Sequence, residues 1–215
     1  MGMDITVFAN HTIDFSNHDF EIIANNIKKL LDNSIIKNNI EIKEQIRSYY
    51  DWQGYDDKMR IEWHNKIDNW ISNNWKYYIN NDWDNYILIN YYGPFRLQIN
   101  ITNNRIEFKD PGCRYDSFFG MDKKYRTEWR KYYYQIITLL GGSFAIYLPD
   151  QGDVASEFTE KIWDHNISLD VIKKGLIEKY GHNIIKIDDF PIDENDFIDF
   201  PYYFIDTFED IKNVH

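Results

Sequence analysis

One cysteine, Cys113, stands alone in a chain of 215 residues. It excludes an internal disulfide and any zinc site built on cysteines, and it fits a reducing compartment. The chain also lacks an apolar run of about 18 residues or more, so no transmembrane helix is expected. Its first stretch, MGMDITVFANHTIDFSN, has neither a basic segment nor an apolar segment behind it, so no secretory signal is expected. The expectation is a cytoplasmic protein without membrane contact. Catalytic signatures are missing as well: there is no phosphate loop, no G-x-G-x-x-G, no G-x-S-x-G, no H-E-x-x-H and no kinase set. Repeats, flexible linkers and low-complexity tracts are not found.

Positive charge is in short supply. Lys and Arg number 24 against 35 Asp and Glu, a net charge of −11. That balance argues against non-specific binding to nucleic acid or to an anionic membrane. Its distribution says more than its size. Asp188, Asp189, Asp193, Glu194, Asp196, Asp199, Asp206, Glu209 and Asp210 lie within 23 residues that hold no Lys or Arg. By contrast, the stretch from Lys109 to Lys131 carries seven basic residues against four acidic ones.

What the chain has in quantity is core-forming material: 43% hydrophobic residues, 18% of all residues aromatic. At this length that suits one domain. Asn, Ile, Lys and Tyr are over-used throughout, as an AT-rich genome would produce, so abundant Asn and Tyr are not read as a binding signature.

Periodicity gives an α+β protein with an antiparallel meander of about five to seven strands covered by amphipathic helices. DITVF (residues 4–8) reads as a first strand. A helix follows, with Ser16 as its N-cap and Phe20, Ile23, Ile27, Leu30 and Leu31 on one stripe. Residues 56–73 read as a second helix. From Trp75 the period changes to two, and WKYYIN, NYILINYY, FRLQINIT and RIEFK are strands separated by turn signals. In the third of these, Phe95, Leu97, Ile99 and Ile101 share one face, while Arg96, Gln98 and Asn100 share a face expected to meet water or a partner. A helix over residues 123–140 ends at Gly141-Gly142, and a strand SFAIYL follows. Helices at 154–164 and 169–180, the latter capped by Ser168 and ended by Gly181, precede a last strand NIIKI.

Four places offer chemistry. In the helix over 123–140, Trp129, Tyr132, Tyr133, Ile136, Leu139 and Leu140 form an apolar face, and Arg126 and Arg130, one turn apart, point outward. Two such guanidinium groups are suited to gripping a carboxylate or phosphate, with Arg114 and Asp116 of the 111–122 loop as companions. The same groups are equally suited to the chain's own acidic segment. His11, Asp14 and His18 lie close together but match no metal-ligand spacing, and they read as cap and loop residues. Cys113 has Arg114 beside it, which favours a thiolate, although lone cysteines are more often packed residues. No catalytic residue, cofactor or metal is assigned.

The acidic segment is the fourth place. Phe190, Phe197, Phe200, Tyr202, Tyr203 and Phe204 alternate with carboxylates, the mixture a docking surface uses: aromatic anchors for affinity, charge for steering. Asp193, Glu194, Asp196, Asp199, Tyr202 and Tyr203 are therefore the expected partner-binding residues, and the expected partner is another, basic protein. In general character such an acidic, motif-free chain resembles the immunity proteins that neutralise bacterial toxins. That resemblance implies stoichiometric occlusion rather than catalysis. The alternative is an enzyme or small anionic-ligand binder built on the 111–122 loop and the basic helix.

Overall fold

A strand turns alternate side chains to opposite faces, and seven short runs of this chain form one sheet on that principle. The computed structural model describes residues 5–15, 20–33, 58, 75–80, 86–91, 98–109, 123–149, 154, 157–158, 161, 167–181, 187–189 and 203–212. In chain order the elements are β1 (Ile5–Ala9), α1 (Phe20–Asn33), β2 (Trp75–Asn80), β3 (Tyr86–Tyr91), β4 (Gln98–Ile101), β5 (Ile106–Lys109) and α2 (Lys123–Leu139). Then come β6 (Ala145–Pro149), α3 (Leu169–Tyr180), a 3-10 turn over Ile187–Asp189, β7 (Phe204–Asp206) and the single-turn α4 (Glu209–Lys212).

The sheet runs β2-β3-β4-β5-β1-β6-β7. Every neighbouring pair in it is antiparallel. The meander from β2 to β5 follows the sequence expectation. β1 then inserts between β5 and β6, with Val7 opposite Phe108 on one side and Tyr147 on the other. The edge strand β7 arises inside the acidic segment, where no strand is expected from sequence. NIIKI gives no described strand: Ile187 opens the 3-10 turn, and residues 183–186 lie outside the described residues. The helix expected over 56–73 also lies outside them, except for Lys58, which is helical; of the helix expected over 154–164, residues 154, 157, 158 and 161 are described and helical.

Among the described residues, helices pack on both faces of the sheet. On the first face α1 and α2 bring Phe20, Ala24, Ile27, Trp129, Tyr132, Tyr133 and Ile136 onto Ile5, Val7, Ile99, Ile101, Ile106, Phe108 and Tyr147. On the second, α3 and the 154–161 region pack Val154, Phe158, Leu169, Ile172 and Leu176 onto Phe8, Ile146 and Leu148. Each such side chain taken from water contributes about 1.5–3 kcal/mol before entropy is set against it. β6 is buried along its whole length. That is why AIYLP is an unbroken apolar run rather than an alternating one.

α2 stops where the sequence says it should. Gly141 takes φ +74°, the left-handed conformation that lets a helix end abruptly. Gly142 is required for a different reason: a Cβ there would lie 2.0 Å from the Asn10 carbonyl oxygen. That close approach lets the Asn10 side chain accept the backbone N–H groups of Ser143 (2.8 Å) and Phe144 (3.1 Å), which fixes the start of β6 against the end of β1.

Two glycine substitutions separate these effects. Gly142→Ala collides with backbone and should lower stability to chemical denaturation by at least about 2 kcal/mol. Gly175→Ala, inside α3, meets only the Phe158 ring at 3.4 Å and should raise stability by about 0.5–1 kcal/mol.

Candidate functional site

The first turns of α2 carry Lys123, Arg126 and Arg130, and the C-terminal segment folds over them. Helical geometry places Arg126 and Arg130 on the flank of the apolar stripe, next to Tyr133 and Ile137 rather than opposite it. Their side chains are only 9% and 7% exposed. The expectation of outward-pointing arginines is thus corrected. So is the expected face at its far end, where Leu139 is exposed and Ile137 is buried instead.

Arg130 is held by two carboxylates at once. Nε donates to Asp206 Oδ2 (2.7 Å) and Nη2 to Asp206 Oδ1 (2.9 Å), a bidentate pair. Nη1 and Nη2 also donate to Asp210 Oδ2 and Oδ1, both at 2.7 Å. Asp206 is 2% exposed and Asp210 64%. One bond is therefore sealed in the core and the other is open to solvent. Asp206 also accepts the backbone N–H of Phe208 at 2.8 Å and lies 3.4 Å from the Tyr147 hydroxyl.

The Phe208 N–H bond to Asp206 explains an unusual backbone. Phe208 has φ +59°, a conformation in which a bulky residue is strained by roughly 1–3 kcal/mol. It persists because Asp206 fixes its N–H, its ring is buried against Tyr134 (centroids 5.5 Å apart), and its carbonyl accepts Ile211 N and Lys212 N to start α4.

One turn earlier, Arg126 and Lys123 share Asp188 of the 3-10 turn; the Lys123 Nζ to Oδ2 distance is 2.7 Å. The two clusters line a cleft of about 540 Å³ that Phe204 and Phe208 also line. Its charged lining is three cations (Lys123, Arg126, Arg130) against four carboxylates (Asp188, Asp206, Glu209, Asp210). Burial works against the Arg130 charge, but the hydrogen bonds it donates to Asp206 and Asp210, together with the attraction of the Asp206 charge, outweigh it, so its pKa rises. Hydrogen bonds hold Asp188 (chiefly from Lys123) and Asp210 (from Arg130) below the usual carboxylate range.

Of the expected partner-binding residues, Tyr203 is described, and it is a core residue. It is 2% exposed among Phe8, Ile146 and Leu176, and its hydroxyl donates to the Gly181 carbonyl. Asp193, Glu194, Asp196, Asp199 and Tyr202 lie outside the described residues, as do Arg114, Asp116, Cys113 and His18. His11 is described, and both its ring nitrogens are engaged, by the Thr102 carbonyl and by the Ile13 N–H. Asp14 is exposed.

Sequence reading missed a second polar cluster. Arg105 and Glu107 are 0% and 1% exposed, with Nε 3.5 Å from Oε1, and Asn100 Nδ2 donates to Glu107 Oε2 at 3.3 Å. They lie on the second face of the sheet, where alternation places polar side chains normally wetted by solvent. Nothing in RIEFK distinguishes a buried Glu from a wet one.

Among the described residues no helix is long and apolar enough to cross a membrane. No protein-family model, curated protein or solved structure matches the chain.

Removing one partner of a buried pair leaves the other charge stranded, so Arg130→Met should cost about 3–5 kcal/mol. Asp210→Asn, at a solvent-exposed contact, should cost no more than about 1 kcal/mol. The pH dependence has a definite sign. Asp188 and Asp210 titrate lower folded than unfolded, so they stabilise the fold above the ordinary Asp pKa of about 3.9, and that contribution is lost as pH falls through their folded values. Urea midpoints between pH 5 and pH 2.5 should drop less in an Asp188→Asn/Asp210→Asn variant than in the parent.

Proposed function

We propose that the chain is a non-enzymatic binding protein that docks a basic protein partner through its acidic C-terminal segment, in the manner of an immunity protein occluding a basic toxin. The observation that carries this reading is the internal neutralisation of α2. Lys123, Arg126 and Arg130 already hold Asp188, Asp206 and Asp210. An anionic ligand would meet guanidinium groups that carry carboxylates, which counts against a small-ligand site built on Arg126 and Arg130 with Arg114 and Asp116.

Charge arithmetic points the same way. Of the nine carboxylates from Asp188 to Asp210, three serve α2, and Glu209 lies 2.8 Å from Lys212. Asp193, Glu194, Asp196 and Asp199 of the same segment carry the reading, with Tyr202 as an aromatic anchor. Tyr203 is withdrawn from that set by its burial. The net charge of −11 would steer a basic partner from a distance.

The test begins with a pull-down from the native host. With the captured basic protein, replacing Asp193, Glu194, Asp196 and Asp199 by Asn or Gln should slow association by about tenfold at low ionic strength and flatten its salt dependence. An unchanged rate and salt slope would contradict the reading.

A further inference from the structure

We propose that His11 is a pH-sensitive latch: its neutral ring fastens the turn after β1 to the β4–β5 turn, and a proton added at Nδ1 releases the turn after β1. The argument rests on which neighbours can donate and which can accept. His11 Nε2 lies 2.7 Å from the Thr102 carbonyl oxygen, which accepts only, so Nε2 carries the ring proton. Ile13 N lies 3.1 Å from Nδ1 and donates only, so Nδ1 must offer its lone pair. Both conditions are met by one neutral tautomer. An imidazolium has N–H at both positions, and its second proton would face the Ile13 N–H. Protonation and the Ile13 hydrogen bond are therefore mutually exclusive.

The ring is placed where that exclusion matters. Thr102 N donates to the Arg105 carbonyl at 2.9 Å and closes the β4–β5 turn, so the ring ties together chain segments 91 residues apart. On its other side His11 packs against Phe15, with ring centroids 5.7 Å apart. Phe15 packs in turn on Phe20, the first residue of α1, at 5.1 Å. Release of the turn at Ile13 therefore reaches the start of the helix.

Among the described residues, burial and the Thr102 carbonyl are the influences that shift His11. Asp14 on the same turn and Glu21 in the first turn of α1 are exposed. Arg105 is directed to Glu107 and the Phe8 ring on the opposite face of the sheet. Burial lowers the His11 pKa, and the Thr102 carbonyl only partly offsets that. The unfolded chain thus takes up a proton as pH falls through about 6.5, before the folded one does, and the latch weakens in that mildly acidic window.

The test uses the full chain. Imidazole nitrogen shifts across pH 8 to 5 should show the Nε2–H tautomer and a His11 midpoint below about 6.5. Amide exchange at Ile13, corrected for intrinsic rates, should lose about fivefold or more protection between pH 7.5 and pH 5.5, while Val7 and Ile27 hold theirs. In His11→Gln the pH dependence at Ile13 should disappear. A midpoint at or above 6.5, an Nδ1–H tautomer, or Ile13 protection that tracks Val7 at both pH values would overturn the proposal. The wild-type measurements decide the matter even if the variant does not fold.

Discussion

A guanidinium taken out of water needs a carboxylate that comes with it, and Arg130 has two. Its bidentate pair with Asp206 is sealed under α2, on the same face of the sheet as Phe204 and Tyr147. Much else depends on that pair. It sets the position of β7 at the sheet edge, where only three residue pairs join it to β6. By fixing Asp206 it holds the strained backbone of Phe208, and Phe208 starts α4. By carrying Asp210 on its outer edge it ties α4 back to α2. A buried ion pair adds little net stability compared with apolar groups of the same shape, but it strongly disfavours any arrangement that separates the charges. Here it specifies where the C-terminal segment goes.

The functional consequence is subtraction. A helix that begins with Lys123, Lys124, Arg126 and Arg130 looks like an anion site when it is viewed alone, and folding supplies anions to three of these from the chain itself. Asp188, Asp206 and Asp210 convert the basic stripe into a scaffold. The polar cluster of Arg105, Glu107 and Asn100 obeys the same rule on the second face of the sheet, where two opposite charges are buried together rather than apart.

How far the sequence disclosed this structure depended on the range of the interaction. The meander of β2 to β5, the helix that stops at Gly141 and the helix that ends at Gly181 were legible, because periodicity and turn chemistry act over a few residues. The stripe of Trp129, Tyr132, Tyr133 and Ile136 was legible for the same reason. β7 was not: three residues between Pro201 and a short helix carry almost no periodic signal, and the strand exists because Arg130, 76 residues away, binds Asp206. The burial of Arg126 and Arg130 was hidden likewise, since a helical wheel shows the flank of a stripe but not what folds over it. The candidate pairing of the basic helix with the acidic segment could be posed from charge alone; which carboxylates took part required the sheet register.

The central claim is that the Arg130–Asp206 pair is a coupled unit that places the C-terminal strand. A double-mutant cycle with Arg130→Met, Asp206→Asn and the double variant, read by urea denaturation, tests it most directly. The coupling should be about 2 kcal/mol or more, with the double variant more stable than the sum of the single losses implies, because no stranded charge remains. Additive losses, with a coupling within about 0.5 kcal/mol of zero, would contradict it.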